Sequence, residues 1–189
     1  MIRLKNTDFK DLEDFYNAIK SCHENAHGSE YTAQHDVIRL KASECKTYRE
    51  LGIMQGATAA AAVLAGYEKL HLIDISLKPF KPYMNYFDPI KATVTVEERS
   101  SIHYNTNELE NVDFLLIDSL HQAGHLRKEL AIHAPRVNKY ILFHDTFAKK
   151  ELQKEIDKFV KNNYTEWALV EYYQENVGYT LIKRTGNAR

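Results

Sequence analysis

Glu50-Leu51-Gly52-Ile53-Met54-Gln55-Gly56-Ala57-Thr58 sits between a strand-like run, Thr47 to Leu51, and an alanine-rich run from Ala57 to Ala65 that Gly66 closes. Strand, glycine turn and helix in that order are the first half of a βαβ unit. The two glycines are four residues apart, and glycine permits both positive φ and close backbone approach to a ligand. Small side chains let the following helix lie tightly on a sheet. The turn is neither G-x-G-x-x-G nor a P-loop, because no Gly-Lys-Ser/Thr follows it. A turn lacking the pyrophosphate glycine pattern suits a nucleoside ligand without phosphates.

Outward from this turn the same alternation repeats. Lys69 to Ile73 leads into Asp74, Ala92 to Val96 into Glu97 and Glu98, Val112 to Ile117 into Asp118, and Tyr140 to Phe143 into His144 and Asp145. Helical runs at Ala123 to Ala134, and after Thr146 with Leu152, Ile156, Phe159 and Val160 on one stripe, separate the later strands. Such spacing predicts parallel crossovers and a sheet covered on both faces, an α/β Rossmann-like doubly wound fold. Trp167 to Tyr173 and Gly178 to Lys183 are too close for a crossover, so the sheet should end in an antiparallel hairpin. Upstream, Phe9, Leu12, Phe15, Tyr16 and Ile19 recur at helical spacing. After a polar stretch, Cys22 to Ser29, a second helix over Tyr31 to Ala42 would turn Val37, Ile38 and Leu40 to the core. Residues 1–45 then form a helical N-terminal cap on a single domain spanning 1–189.

Composition agrees with a globular protein and closes off other classes. Hydrophobic residues make up 44% and charged residues 27%, with 25 Lys plus Arg against 26 Asp plus Glu, so the net charge of −1 argues against a nucleic-acid surface. No apolar run reaches the roughly 20 residues of a membrane span, and the N-terminus lacks a secretory apolar stretch. Cys22 and Cys45 are unpaired in pattern, and with no zinc knuckle they read as free thiols in a cytoplasmic protein. Glycine is scarce, seven residues where average usage of about 7% would give roughly 13. That scarcity singles out the turn at Gly52 and Gly56.

In an open α/β sheet, ligands bind beyond the carboxyl ends of the strands. Gly52, Asp74, Glu97, Glu98, Asp118, His121, His144 and Asp145 all fall at that edge. Asp74, 22 residues after Gly52, sits where an acid would accept hydrogen bonds from both ribose hydroxyls.

Taken in order, Glu50-x-Gly52-x-x-x-Gly56, Ile73-Asp74-Ile75-Ser76, Leu116-Ile117-Asp118-Ser119-Leu120-His121 and Phe143-His144-Asp145-Thr146 resemble the successive motifs of class I S-adenosylmethionine-dependent methyltransferases. Within these they are most similar to the small-molecule O-methyltransferase branch with macrocin O-methyltransferase-like and cephalosporin hydroxylase-like members. The resemblance covers residues 47–184. It implies S-adenosylmethionine as cofactor, with Glu50, Gly52 and Gly56 along its methionine and ribose part and Asp74 on the ribose. Glu98 to Ser101, Ser100 included, would lie near adenine, with Asp118 facing the methionine moiety and His121 beside the cofactor. It further implies a divalent metal such as Mg²⁺ on Asp118 and Asp145. Their strand-end placement makes Asp118, His144 and Asp145 the catalytic candidates, either through that metal lowering the pKa of the acceptor hydroxyl or through His144 as general base. The expected activity is methyl transfer to a small-molecule hydroxyl, without nucleic-acid or membrane partners, and with homo-oligomerisation left open. Arg136-Val137-Asn138-Lys139, in place of the Gly-Gly usual before the fifth strand, raises the alternative of a cofactor-binding protein without catalysis. An NAD-type oxidoreductase is disfavoured by the missing G-x-G-x-x-G.

Remaining features have plainer readings. His121 and His125 are spaced to share zinc but lack the intervening Glu of H-E-x-x-H. His23, His27 and His35 are either a lid over the site or, more simply, a solvated loop. The aromatics Tyr164, Trp167, Tyr172, Tyr173 and Tyr179 read as strand packing, and the lysines from Lys149 to Lys161 as the solvated face of a helix.

Overall fold

A computed structural model of the chain describes Leu4, residues 6–88 and residues 91–186. Strands β1 (Thr47–Leu51), β2 (Lys69–Asp74), β3 (Thr93–Glu98), β4 (Val112–Ile117), β5 (Val137–His144), β6 (Trp167–Tyr173) and β7 (Tyr179–Arg184) form one sheet in the order β3-β2-β1-β4-β5-β7-β6. The first five are parallel, and β7 is antiparallel to both β5 and β6. The expected doubly wound sheet with a closing hairpin is therefore what forms.

Both faces of β4 and β5 are buried, which is why each carries an apolar run, Phe114 to Ile117 and Tyr140 to Phe143. Phe114 and Leu116 of β4 and Tyr140 and Leu142 of β5 face one core; Leu115, Ile117, Ile141 and Phe143 face the other. The first core is covered by α1 (Leu12–His27), α2 (Ala33–Lys41) and α3 (Ala57–Ala65), the second by α4 (Ala123–His133) and α5 (Lys150–Asn162). In α3 every residue from Ala57 to Ala62 is buried, so larger side chains would hold the helix off its neighbours.

Four details depart from the pattern-based expectations. Helix α1 does not end at Cys22 but runs to His27, capped by the Asp11 carboxylate on the Asp14 amide at 2.9 Å and stopped by Gly28 at φ +91°. The polar stretch is helical because a Lys20–Glu24 pair, 2.8 Å apart, supports the helix surface. Leu40, expected inside, is 73% exposed, and Val37 and Ile38 carry the α2 contact. A 3₁₀ segment, Lys81–Phe87, buries Tyr83, Tyr86 and Phe87 against Phe15; its helical period is too short to register in the sequence. Finally, β5 begins at Val137, so Val137, Asn138 and Lys139 are strand residues at the end of β5 remote from His144.

Candidate active site

β1 and β4 are neighbours whose connections leave to opposite sides, the switch point where such sheets take ligands. A cavity of about 460 Å³ opens there, beyond the carboxyl ends of the strands. Its floor is the glycine turn. The Gly52 amide donates to the Ile73 carbonyl and the Asp118 amide to the Leu51 carbonyl, each at 2.9 Å, which ties the end of β1 to β2 on one side and β4 on the other. At Gly52, φ is +94° and a Cβ would collide with the Asp118 carbonyl. At Gly56, φ is +88° and a Cβ would lie 2.5 Å from the Phe80 ring. Both glycines are thus required by protein neighbours, although Gly52 also borders the cavity and Gly56 does not.

Asp74 fixes the turn. Its Oδ2 accepts from the amides of Ile53 (2.7 Å) and Met54 (3.2 Å), and its Oδ1 from that of Ser76 (3.0 Å). Met54 is held at φ +52°, which the two-amide grip on one oxygen helps to stabilise. Oδ1, with that single amide, retains accepting capacity, and Asp74 borders the cavity.

Glu50 and Glu98 do not reach the cavity wall. Strand alternation turns Glu50 into the α3 core, where it is fully buried and accepts from the hydroxyls of Tyr48 (2.8 Å) and Thr58. Burial pushes its carboxyl up to about 8 despite those two donors. Thr58, not Glu50, borders the cavity. Glu98 is the exposed last residue of β3, 4.0 Å from Lys81, whereas Ser100 and Ser101 just beyond it do line the wall.

Asp118, His121, His144 and Asp145 close into a ring. His121 reaches Asp118 with Nε2 (3.2 Å) and Asp145 with Nδ1 (3.0 Å), while His144 Nδ1 lies 3.2 Å from Asp118 and 3.3 Å from Asp145. Asp145 is held at φ +60°. Burial alone would raise the Asp118 carboxyl, but His144 and His121 outweigh it and hold it well below the usual carboxylate range. Hydrogen bonds to Asp118 and then Asp145 push His121 up to about 10. Burial opposes charge on His144, yet Asp118 and Asp145 keep it above the ordinary imidazole value. The expected metal at Asp118 and Asp145 finds no support: among the described residues no group of three or more His, Cys, Asp or Glu is disposed to hold an ion. Both carboxylates are engaged by imidazoles instead.

The N-terminal cap supplies the opposite wall. His23, His27, Tyr31, Gln34 and His35 all border the cavity, so with His121, His125 and His144 six of the nine histidines face one space. Tyr31 is the centre of this wall, its ring 4.5 Å from His27, 5.6 Å from His23 and 5.8 Å, edge to face at 89°, from His144. Burial, then the charges of Asp118 and Asp145, push its phenol up to about 12. His35 is buried with Nδ1 3.3 Å from the Tyr16 hydroxyl, and burial pushes it down to about 3. The reading of the trio as a solvated loop does not hold. The matching four-residue spacings His23/His27 and His121/His125 were the available signal; that the two pairs meet is tertiary.

Behind the wall formed by Ser101, Ser119 and His125 lies Glu129 of α4, which is not exposed at all. Its Oε1 is 2.6 Å from both serine hydroxyls and 3.3 Å from His125 Nε2. Nothing in the sequence marked it, since one acid in a helix with both polar and apolar residues reads as solvated.

No family model matches the sequence, and no curated protein does. Solved structures do match. The N-methyltransferase NodS from Bradyrhizobium japonicum superposes with a TM-score of 0.65 at 13% identity, over 88% of this chain and 99% of its own. The S-adenosylhomocysteine-bound methyltransferase PaMTH1 from Podospora anserina gives 0.65 at 13%, over 94% and 88%. The ribosomal protein L11 methylase from Lactobacillus delbrueckii subsp. bulgaricus gives 0.65 at 14%, over 84% and 80%. At such identities the likeness establishes the fold, which is the one these methyltransferases share. No helix among the described residues is long and apolar enough to cross a membrane.

Proposed function

We propose that the chain is an S-adenosylmethionine-dependent methyltransferase acting at a hydroxyl of a small molecule. One observation carries this reading: the Asp74-braced turn and the Asp118–His121–Asp145–His144 ring open on the same enclosed cavity. The bound cofactor would supply a methyl group already activated by its sulfonium, leaving the protein to align the acceptor and take its proton. The turn from Gly52 to Gln55 would border the methionine part, with Asp118 beside it. Asp74, with Oδ2 already holding two amides, would accept one ribose hydroxyl through Oδ1 rather than both. Ser100 and Ser101 would flank the adenine.

His144 is the proton acceptor in this scheme. Its Nδ1 is turned to two carboxylates, which favours the tautomer with the proton there, and Nε2 has no hydrogen-bond partner among the described residues. That leaves a lone pair for an acceptor hydroxyl lying against Tyr31. Asp118 and Asp145 orient the ring and stabilise the imidazolium that forms. No step requires a metal. The cap over the cavity favours a small acceptor, and the free thiols Cys22 and Cys45 suit a cytoplasmic setting. The resemblance to the macrocin-like branch is part of this proposal.

A cofactor-binding protein without catalysis was suggested by the segment from Arg136 to Lys139, but its strand residues begin β5 at the sheet edge away from the cavity. Calorimetry with S-adenosylhomocysteine and NAD⁺, followed by labelled-methyl turnover on a panel of hydroxylated metabolites, tests the reading. Binding of S-adenosylhomocysteine with transfer to at least one hydroxyl is expected; binding of NAD⁺ alone refutes it.

A further inference from the structure

Glu129 has no part in the scheme above, yet its environment is unusual. A carboxyl group is fully buried in α4, Oε2 has no hydrogen-bond partner among the described residues, and Oε1 collects three polar atoms. For holding α4 against the sheet an apolar side chain would serve at lower cost, so packing does not explain an acid here. Its three neighbours, Ser101, Ser119 and His125, all line the cavity.

We infer that Glu129 makes this wall an acceptor of hydrogen bonds, selecting a purine with a 6-amino group over one with a 6-oxo group. The inference rests on the proposed cofactor and concerns its base. A serine hydroxyl has one proton and two lone pairs. With Oε1 accepting, Ser101 and Ser119 each spend their proton on it at 2.6 Å, and only lone pairs remain for the cavity. His125 Nε2 is within 3.2 Å of Ser101 Oγ and 3.3 Å of Oε1, so its N–H is also directed inward. The nearest side-chain cation on this wall, Arg99, is turned away, with Nη2 on the His103 carbonyl and 3.1 Å from Glu108 and the guanidinium stacked 4.0 Å from the Tyr104 ring. A ligand N–H meets lone pairs there, and a ligand carbonyl meets the same lone pairs and is repelled. Glu129 touches no ligand and acts as a positioning residue.

The test is calorimetry on the full chain with S-adenosylhomocysteine and S-inosylhomocysteine, which differ in this group and in the N1 proton that the oxo form carries. The wild type should prefer the amino ligand by at least about tenfold. In Glu129→Leu the serine hydroxyls are free to rotate and donate, so the preference should fall to within about threefold. Ser119→Ala, at a half-buried site, should weaken the amino ligand and leave the oxo ligand unchanged. A wild type that binds both equally overturns the inference while leaving the methyltransferase reading intact. Unchanged preference in either variant, with both ligands weakened alike, would assign Glu129 a structural role only and also overturns it. Binding of neither ligand removes the underlying reading and the inference together.

Discussion

Gly52 and Gly66 both have positive φ, yet they differ in what surrounds them. A Cβ at Gly66 meets nothing within 4 Å, whereas at Gly52 it runs into the Asp118 backbone, which has nowhere to move because its amide is bonded to Leu51. Gly66→Ala should therefore cost about 1 kcal/mol, the conformational penalty alone. Gly52→Ala should cost on the order of 2–4 kcal/mol and distort the cavity floor. Urea denaturation of the two variants measures both. At His144, removal of the ring should lower turnover by about 10²- to 10⁴-fold with S-adenosylhomocysteine binding kept. In the proposed scheme His144 is neutral before it accepts the proton; with its pKa raised, the acidic limb of kcat should lie on the alkaline side of about 6.5. A pH–rate profile whose limb falls below that value would contradict the assignment. Gly52 and His144 were legible because each stands at the end of a strand-like run, and Gly66 because it closes the alanine-rich helix.

Between elements, legibility is partial. The run of small residues in α3 and the stripe in α5 were plain, but the polar end of α1 was not, because its stability comes from an ion pair and a distant glycine rather than from apolar period. That extra turn and a half carries His23 and His27 to the cavity, joining the cap to the strand ends through Tyr31 and His144. Tyr31→Ala should raise the KM for the acceptor several-fold and leave S-adenosylhomocysteine affinity unaltered, since its ring lies against His144, the proposed proton acceptor, rather than the glycine turn. The loop–strand ring also has a stability signature. His121 has a folded value of about 10 against about 6.5 unfolded, so its contribution is complete below about pH 6.5 and is lost as pH rises toward 10. The stability difference between the wild type and His121→Ala, measured by urea titration across that range, should shrink accordingly; a difference that grows with pH would contradict the ring.

Across the whole molecule, the strand order β3-β2-β1-β4-β5-β7-β6 sends the chain out to one side of the glycine turn and back past it to the other. The cavity lies at that reversal, so residues from β1, β2, β4 and β5 meet although they are distant in sequence. Sequence pattern predicts the strands and hence the edge, but not which side chains turn outward: Glu50 turns into the core, Glu98 to solvent, and Glu129 inward beneath the wall. Which face of β1 meets α3, where Glu98 ends and what covers Glu129 all depend on packing between elements that no local pattern encodes. Asp74 shapes the turn and, in the proposed function, meets the nucleoside. Calorimetric titration of the wild type and Asp74→Ala with S-adenosylhomocysteine tests this directly. One site in the wild type, weakened at least about tenfold in the variant, is the predicted result; no binding to the wild type, or equal binding to both proteins, would contradict it.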